Sequence, residues 1–205
     1  MIVTSPLLSE LDWLEHGFGT RHAPLDQSGM ASLQQIHSSL VLVADRCEGC
    51  VGDADALITA EPGIAVSIRT ADCLPILLAD TRRRAVAAVH AGWRGTADEI
   101  VVQALRKMRA EFGTKPEEVF AAIGPGIGAC CYEVGEEVAR RFGMNSAGKL
   151  DLAAENRRQL AEHGVPRITQ SGACTFCHSA QFYSWRRDRE RAGRMVSYIR
   201  VIRAA

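Results

Sequence analysis

The chain has 205 residues, of which 47% are hydrophobic, and its formal net charge at neutral pH is zero. This length suits one domain with a substantial hydrophobic core. The balanced charge argues against nucleic acid or an anionic membrane as the main partner, because both attract basic surfaces. No apolar run approaches the roughly 20 residues that span a bilayer, and acidic residues near the start do not fit a signal peptide. We therefore expect a cytoplasmic protein that binds neither nucleic acid nor membranes.

Short apolar runs in the first half of the chain predict buried β-strands. The segment at residues 32–43 fits either a short helix or a strand, and the Gly- and Cys-rich segment 47–53 fits a turn. The clearest predicted strands lie at residues 56–59, 64–70, 74–79 and 85–89.

The second half of the chain mixes helices with strands. A helix is predicted from Thr96, because Thr96 and Glu99 form a T-x-x-E capping box, and Gly113 is suited to end it. Because strands and helices do not alternate strictly, the predicted fold class is α+β rather than a doubly wound sheet. The later predicted elements are a strand at 119–123, helices near 135–142 and 151–163, and a strand at 195–202.

A cysteine and a histidine lie at the two open ends of a predicted hairpin. Its strands, 74–79 and 85–89, are joined by a charged connection centred between Thr81 and Arg82. If the turn is centred there, Cys73 falls opposite His90. The Cβ atoms of two residues directly opposite each other on paired strands lie roughly 4.5–5.5 Å apart. Thiolate and imidazole at that distance can share a metal ion or act as nucleophile and base. The plain alternative is a buried thiol beside a structural histidine.

Several ordered segments resemble signature blocks of the YfiH-like, or laccase-domain, family, whose members are described as polyphenol oxidases or purine nucleoside phosphorylases. The matching segments are TADCLPILLAD, VHAGWRG, IGPGIGACCYEVGEEV and FYSWRRDRERAGRMVSYI, together with LQQIHS and GDADALIT. They run in order from about Gly19 to the C-terminus. The resemblance implies a single domain over residues 1–205, with mixed β-sheets flanked by helices in a CNF/YfiH-like layered architecture.

The resemblance also implies a mononuclear zinc held by His37, Cys73 and His90, with copper as the alternative metal. Three protein ligands leave one position open, which is typical of a catalytic zinc. Zinc lowers the pKa of bound water towards ~7 and so makes hydroxide available for attack on adenine C6. The implied activity is phosphorolysis of adenosine, inosine, guanosine or methylthioadenosine, together with adenosine deamination. Nucleoside and phosphate are thus the expected partners of a monomer or small homo-oligomer.

Further site residues follow from the same sequence blocks. Asp72 and Arg94 flank the implied ligands, and we assign them catalytic roles, Asp72 by orienting a ligand and Arg94 by binding an anion. The plain alternative for Asp72 is that it caps a turn. Guanidinium groups suit phosphate, and a Gly-rich loop can bring backbone N–H groups close to a substrate. The candidate substrate-binding residues are Arg21, Arg186, Arg187, Gly124 and Gly126.

The remaining cysteines offer competing motifs. Two C-x-x-C pairs, at 47–50 and 174–177, fit a shared structural zinc poorly because the gap between them is very long. His178 completes a C-x-x-C-H haem pattern, which we set aside because no export signal is expected. The family resemblance implies that the 174–177 pair either packs in the interior or forms part of the wall of the substrate site. Cys130 and Cys131 are expected to be buried in the core.

The chain also departs from the family pattern. Only residues 22–35 separate Arg21 from Ile36 and His37, and the Asn-Leu-Gly element usual there is not recognisable. We expect a more open pocket, altered specificity or weak activity. Three alternative functions remain open: a Cys73–His90 hydrolase or amidase acting on a cell-wall precursor, a copper-dependent polyphenol oxidase, and an inactive zinc-stabilised binding module. Six scattered histidines fit a multicopper oxidase poorly.

Overall fold

The protein is built in layers, in which a five-stranded sheet packs on a six-stranded sheet whose other face carries helices. The computed structural model describes residues 2–23, 27, 29–45 and 48–203. One hydrophobic cluster lies between the two sheets, and another lies between the larger sheet and the helices. Mixed sheets flanked by helices confirm the predicted α+β class.

The five-stranded sheet consists of β1 (Leu14–Phe18), β2 (Met30–Gln34), β4 (Gly49–Asp53), β6 (Ala65–Thr70) and β13 (Met195–Val201). Its order is β1-β13-β6-β2-β4, with β2 parallel to both of its neighbours. The prediction of a turn over residues 47–53 is wrong for the described part of that segment, because β4 finds backbone partners on β2 that local composition does not reveal. Cys47 lies outside the described residues.

The six-stranded sheet consists of β3 (Val41–Val43), β5 (Ala56–Thr59), β7 (Leu74–Asp80), β8 (Val86–Ala91), β9 (Val119–Ile123) and β12 (Arg167–Gln170). Its order is β12-β9-β7-β8-β5-β3. Every residue of β7 and β8 is buried, because one face of this hairpin packs on helices and the other on the five-stranded sheet. A strand covered on both faces reads as a continuous apolar run, and this pattern predicts both strands.

The helices are α1 (Trp93–Ala97), α2 (Ile100–Phe112), α3 (Glu136–Arg141), α4 (Leu152–Glu162) and α5 (Trp185–Asp188), and a small ribbon pairs β10 (Glu133–Val134) with β11 (Gly148–Lys149). Gly113, at φ 71°, ends α2 as predicted. The predicted capping box is wrong, because Thr96 lies inside α1 and Glu99 adopts a φ of 57° between the two helices. Among the described residues, no helix is long and apolar enough to cross a membrane.

The register of the β7–β8 hairpin differs from the prediction. His90 pairs with Pro75 and not with Cys73. Because side chains alternate between the two faces of a strand, this shift of two residues leaves Cys73 on the predicted face, one diagonal step from His90.

The turn of the hairpin explains the shift. Asp80 Oδ1 accepts hydrogen bonds from the backbone N–H groups of Arg82 at 2.8 Å and Arg83 at 2.9 Å. Arg84 then takes a left-handed φ of 52°. Asp80 therefore belongs to the strand and closes the turn with its own side chain, which moves the turn centre to the bond between Arg82 and Arg83.

Candidate metal centre

His37, Cys73 and His90 converge at the open end of the hairpin. One ligand atom from each residue lies within 4.8 Å of the other two, and the two imidazole centroids are 5.0 Å apart. His37 is exposed and follows β2 with a left-handed φ of 60°, Cys73 is half-buried directly before β7, and His90 is buried near the end of β8. Two imidazoles and a thiolate form a donor set that suits zinc with one position open.

Asp55 is a site residue that the sequence reasoning missed. It is fully buried between β4 and β5. Its Oδ1 accepts hydrogen bonds from His90 Nδ1 at 2.7 Å and from the backbone N–H of His37 at 3.0 Å, and its Oδ2 accepts from the Ser38 hydroxyl at 2.8 Å. With Nδ1 engaged, His90 has Nε2 left to bind a metal ion, which is how carboxylates orient metal-binding histidines. The available signal was the position of Asp55 in the segment GDADALIT.

Cys73 and His90 change each other's protonation. Burial raises the pKa of the Cys73 thiol, but the adjacent His90 and His37 outweigh burial and bring that pKa down to about 6. Burial lowers the pKa of His90, but Cys73 and Asp55 outweigh burial and raise that pKa to about 9. The metal-free pair is therefore a thiolate beside an imidazolium near neutral pH, and the thiolate is the form that binds metals or attacks substrates.

Gly92 leaves room for the thiol. A Cβ atom at this position would lie 2.9 Å from Cys73 Sγ and 3.5 Å from His37 Cδ2. A larger residue would have to displace the Cys73 thiol, whereas the distance to His37 is an ordinary van der Waals contact. The glycine in the segment VHAGWRG therefore permits the backbone between β8 and α1 to pass close to the site.

A cleft of about 920 Å³ contains the three side chains. Three arginines stack on aromatic rings in its walls: Arg94 on Trp93 at 4.4 Å, Arg186 on Tyr132 at 5.3 Å and Arg194 on Trp185 at 5.4 Å. Arg69 and Arg189 also line the cleft, together with two acids, Asp72 and Glu190. Cationic groups and flat aromatic surfaces thus surround the site, which suits an anionic ligand and a planar one.

The structure separates the predicted substrate-binding arginines into two groups. Arg94 and Arg186 line the cleft, and the Arg94 guanidinium forms no ion pair with any residue that the structure describes. Arg187 does not line the cleft, because its guanidinium bonds to Asp188 and to the carbonyl oxygens of Thr175, Phe176 and Phe182. These bonds use its five N–H groups, so its position indicates a structural role in place of the predicted one.

Arg21 and the two predicted glycines also lie outside the lining of the cleft. The Arg21 guanidinium donates to the carbonyl oxygen of Ser179 and stacks on Tyr183. A Cβ at Gly124 would lie 2.3 Å from the Phe18 ring, and one at Gly126 would lie 2.4 Å from a Leu74 methyl carbon. Close packing therefore accounts for both glycines without a substrate.

Asp72 lines the cleft but does not take the orienting role predicted for it. Its carboxylate accepts hydrogen bonds from the Thr175 hydroxyl at 2.7 Å, the Ser184 hydroxyl at 3.1 Å and the backbone N–H of Arg186 at 2.6 Å. These bonds attach the start of α5 to the residue before Cys73. Asp72 thus positions one wall of the cleft, whereas Asp55 bonds to the histidine.

The predicted burial of Cys130 and Cys131 is wrong. Cys130 is exposed and Cys131 is half-buried, because both lie in the loop between β9 and β10. They lie beside Cys174 and Cys177. The 174–177 pair therefore meets these two cysteines, whereas Cys50 is exposed on β4.

Comparisons with known proteins give a family match and named relatives. The family model for multi-copper polyphenol oxidoreductase laccase matches residues 19–202. A protein named purine nucleoside phosphorylase, from Bacteroides thetaiotaomicron, is 43% identical over 163 residues, which is 72% of this chain, and the chain spans 60% of that relative's length. A protein named adenosine deaminase RL5, from an unknown prokaryotic organism, is 35% identical over 85% of this chain and 76% of its own length. The crystal structure of hypothetical protein YfiH from Bacillus licheniformis aligns with a TM-score of 0.88 and 25% identity, covering 95% of each chain.

Proposed function

Because the chain belongs to the multi-copper polyphenol oxidoreductase laccase family, the family of its YfiH-like sequence blocks, we propose that it is a zinc-dependent purine nucleoside phosphorylase that also deaminates adenosine. The observation that carries this proposal is the convergence of His37, Cys73 and His90 in a cleft lined by arginines and aromatic rings. The substrate class is supported by two relatives, one named a purine nucleoside phosphorylase and one an adenosine deaminase.

His37, Cys73 and His90 would hold the zinc ion, through one ligand atom each. This donor set also suits copper, but a multicopper oxidase needs several histidine-rich sites. Within the described residues, the other group able to hold a metal consists of cysteines alone. We therefore favour zinc over copper. When bound, zinc would act as a Lewis acid on a substrate oxygen or a water molecule.

The walls of the cleft would bind the two substrates of phosphorolysis. In this reaction a phosphate oxygen bonds to C1′ of the nucleoside, the bond from C1′ to the base nitrogen breaks, and the base leaves with a proton. Arg94 directly follows Trp93 and offers an exposed guanidinium fork for phosphate. Trp185, 40% exposed, offers a flat surface for the base.

Tyr132 would assist the leaving base. It lines the cleft, and burial raises its pKa, to about 12 in the metal-free protein, where the Cys73 thiolate adds to the effect. Its hydroxyl therefore stays protonated at neutral pH. A protonated phenol can donate a hydrogen bond to a purine nitrogen while the glycosidic bond breaks.

The test is a metal assay combined with product analysis. Adenosine with phosphate should give adenine and ribose 1-phosphate, and adenosine alone should give inosine and ammonia. Cys73→Ala should lose the zinc of the cleft and both reactions, whereas Cys50→Ala, a matched change at an exposed cysteine on β4, should retain them. Full phosphorolysis by a Cys73→Ala protein without metal in the cleft would contradict the proposal.

A cysteine hydrolase is the second candidate, and one observation favours it. Asp55 bonds to His90, and His90 adjoins the Cys73 thiolate, which is the order of groups in a nucleophile–base–carboxylate triad. One sulfur cannot serve as both zinc ligand and free nucleophile. Amide hydrolysis that persists after a chelator has removed the metal, and that stops on alkylation of Cys73, would favour the hydrolase.

A further inference from the structure

Four cysteines form a second cluster of potential metal ligands. Each sulfur lies within 4.8 Å of the other three, all four residues are free thiols, and none of them lines the cleft that holds Cys73. The four-cysteine cluster consists of Cys130, Cys131, Cys174 and Cys177.

The distances between sulfur atoms suit a shared metal ion. Cys177 Sγ lies 3.7 Å from Cys130 Sγ and 3.3 Å from Cys131 Sγ. Four thiolates around a tetrahedral zinc, with Zn–S bonds of about 2.3 Å, lie roughly 3.8 Å from one another. The cysteines are therefore already arranged at nearly the separation that zinc requires.

The surroundings of Cys174 favour a thiolate. This residue is the buried member of the cluster, and it begins the tight C-x-x-C turn that ends at Cys177. The backbone N–H of Gly128 donates to Cys174 Sγ at 3.2 Å. An amide group directed at sulfur stabilises its negative charge, which a cation would then neutralise.

The cluster joins two segments that both contribute residues to the cleft wall. One segment continues from Cys131 directly into Tyr132, and the other leads from Cys177 to Trp185. A backbone bond from Thr175 N–H to the Gly126 carbonyl, at 2.9 Å, already connects them. A metal ion at this point would fix the spacing of the two segments.

We propose that the four-cysteine cluster binds a second zinc ion, in a closed structural site separate from the cleft. Four protein thiolates leave no open position, which distinguishes a structural zinc from a catalytic one. The ion ties the loop between β9 and β10 to the segment before α5 and so maintains the shape of the cleft.

Zinc stoichiometry in a Cys73→Ala background tests this site. That variant lacks the thiolate of the cleft, so after purification with a reductant, loading with zinc and dialysis it should retain one zinc per chain. Adding Cys177→Ser should remove that zinc, and adding Cys50→Ser instead should not. Cobalt in place of zinc should give strong thiolate-to-metal charge-transfer absorption, which Cys177→Ser abolishes.

Two results would overturn the proposal. One is a folded Cys73→Ala protein without zinc, and the other is zinc that survives addition of Cys177→Ser. Circular dichroism checks folding, and Cys130→Ser, at an exposed position, replaces Cys177→Ser if the latter does not fold. The readout is metal content in a variant expected to be inactive, so failure of the proposed phosphorylase activity leaves this test intact.

Discussion

His90 owes its orientation to two residues that are distant in the chain. Asp55, 35 residues away, engages Nδ1, and Cys73 contributes the negative charge on its other side. The same carboxylate bonds to the backbone of His37. One buried anion thus places two of the proposed metal ligands, and removing its charge should affect both.

Asp55→Asn is expected to weaken zinc binding in the cleft by about 10–100-fold, the usual effect of disturbing a hydrogen-bond partner of a metal-bound histidine. An amide keeps the size of the side chain but directs an NH₂ group at neighbours that are themselves donors. Competition with a chromophoric chelator measures the affinity. Asp72→Asn is the control, since Asp72 bonds to α5, and it should leave zinc affinity unchanged. An equal loss of zinc affinity in both variants would refute the role of Asp55 in orienting the metal-binding histidine.

Arg94 and Arg187 separate anion binding from structural support. Arg187→Lys is expected to lower the free energy of unfolding by about 2 kcal/mol, because an ammonium cannot replace the five directed N–H groups. Arg94→Lys should instead raise KM for phosphate and leave stability unchanged. Urea unfolding and phosphate titrations measure the two effects. A higher phosphate KM in Arg187→Lys without loss of stability would reverse these roles.

At the scale of elements, tertiary contacts replace a local cap between α1 and α2. Thr96 Oγ1 accepts a hydrogen bond from the buried Asn156 at 2.9 Å, and the Thr96 carbonyl accepts one from Gln159. These two partners lie on α4. The bonds hold Thr96 inside α1. Glu99, whose backbone is in the left-handed conformation, then separates α1 from α2.

A pH-sensitive contact lies at β1. His16 is buried, and its Nε2 accepts a hydrogen bond from the backbone N–H of Ser5 at 2.9 Å. Burial holds the pKa of His16 below its usual value, so the unfolded chain takes up this proton more readily than the folded protein. We therefore expect His16 to lower stability as pH falls below about 6.5, the pKa of an unperturbed histidine.

His16→Gln should make stability less dependent on pH, because Gln Oε1 can accept the same bond but does not titrate. Urea unfolding at about pH 7.5 and about pH 5.5, on either side of the histidine pKa, compares the variant with the wild type. The difference between the two pH values should be smaller in the variant. An equal difference in both proteins would show that His16 does not contribute.

At the scale of the whole molecule, the β7–β8 hairpin connects the two hydrophobic clusters. Ile76 and Leu78 belong to the cluster beneath the helices, and Leu77 and Ala79 belong to the one between the sheets. Neither cluster can open without exposing part of this hairpin. We therefore propose that residues 1–205 form one cooperative domain.

A single unfolding transition is expected in urea at fixed zinc concentration, with the same midpoint by circular dichroism and by tryptophan fluorescence. Trp93 and Trp185 report on the cleft, and Trp13 packs against the cluster between the sheets. Variants with phenylalanine at one tryptophan at a time identify which region each signal follows. Separate midpoints for the cleft and the sheets would contradict a single cooperative domain.

The sequence by itself determined the α+β class, the family and the face of the hairpin that carries Cys73 and His90, because these depend on local patterns of apolar residues and on ordered motifs. The tertiary structure alone decided that Asp55 orients His90 and that Arg187 lies outside the cleft. It also brought together Cys130 and Cys177, which are 47 residues apart. Each of these contacts joins groups from distant segments, and short-range patterns do not specify which distant donors and acceptors will meet once the layers have packed.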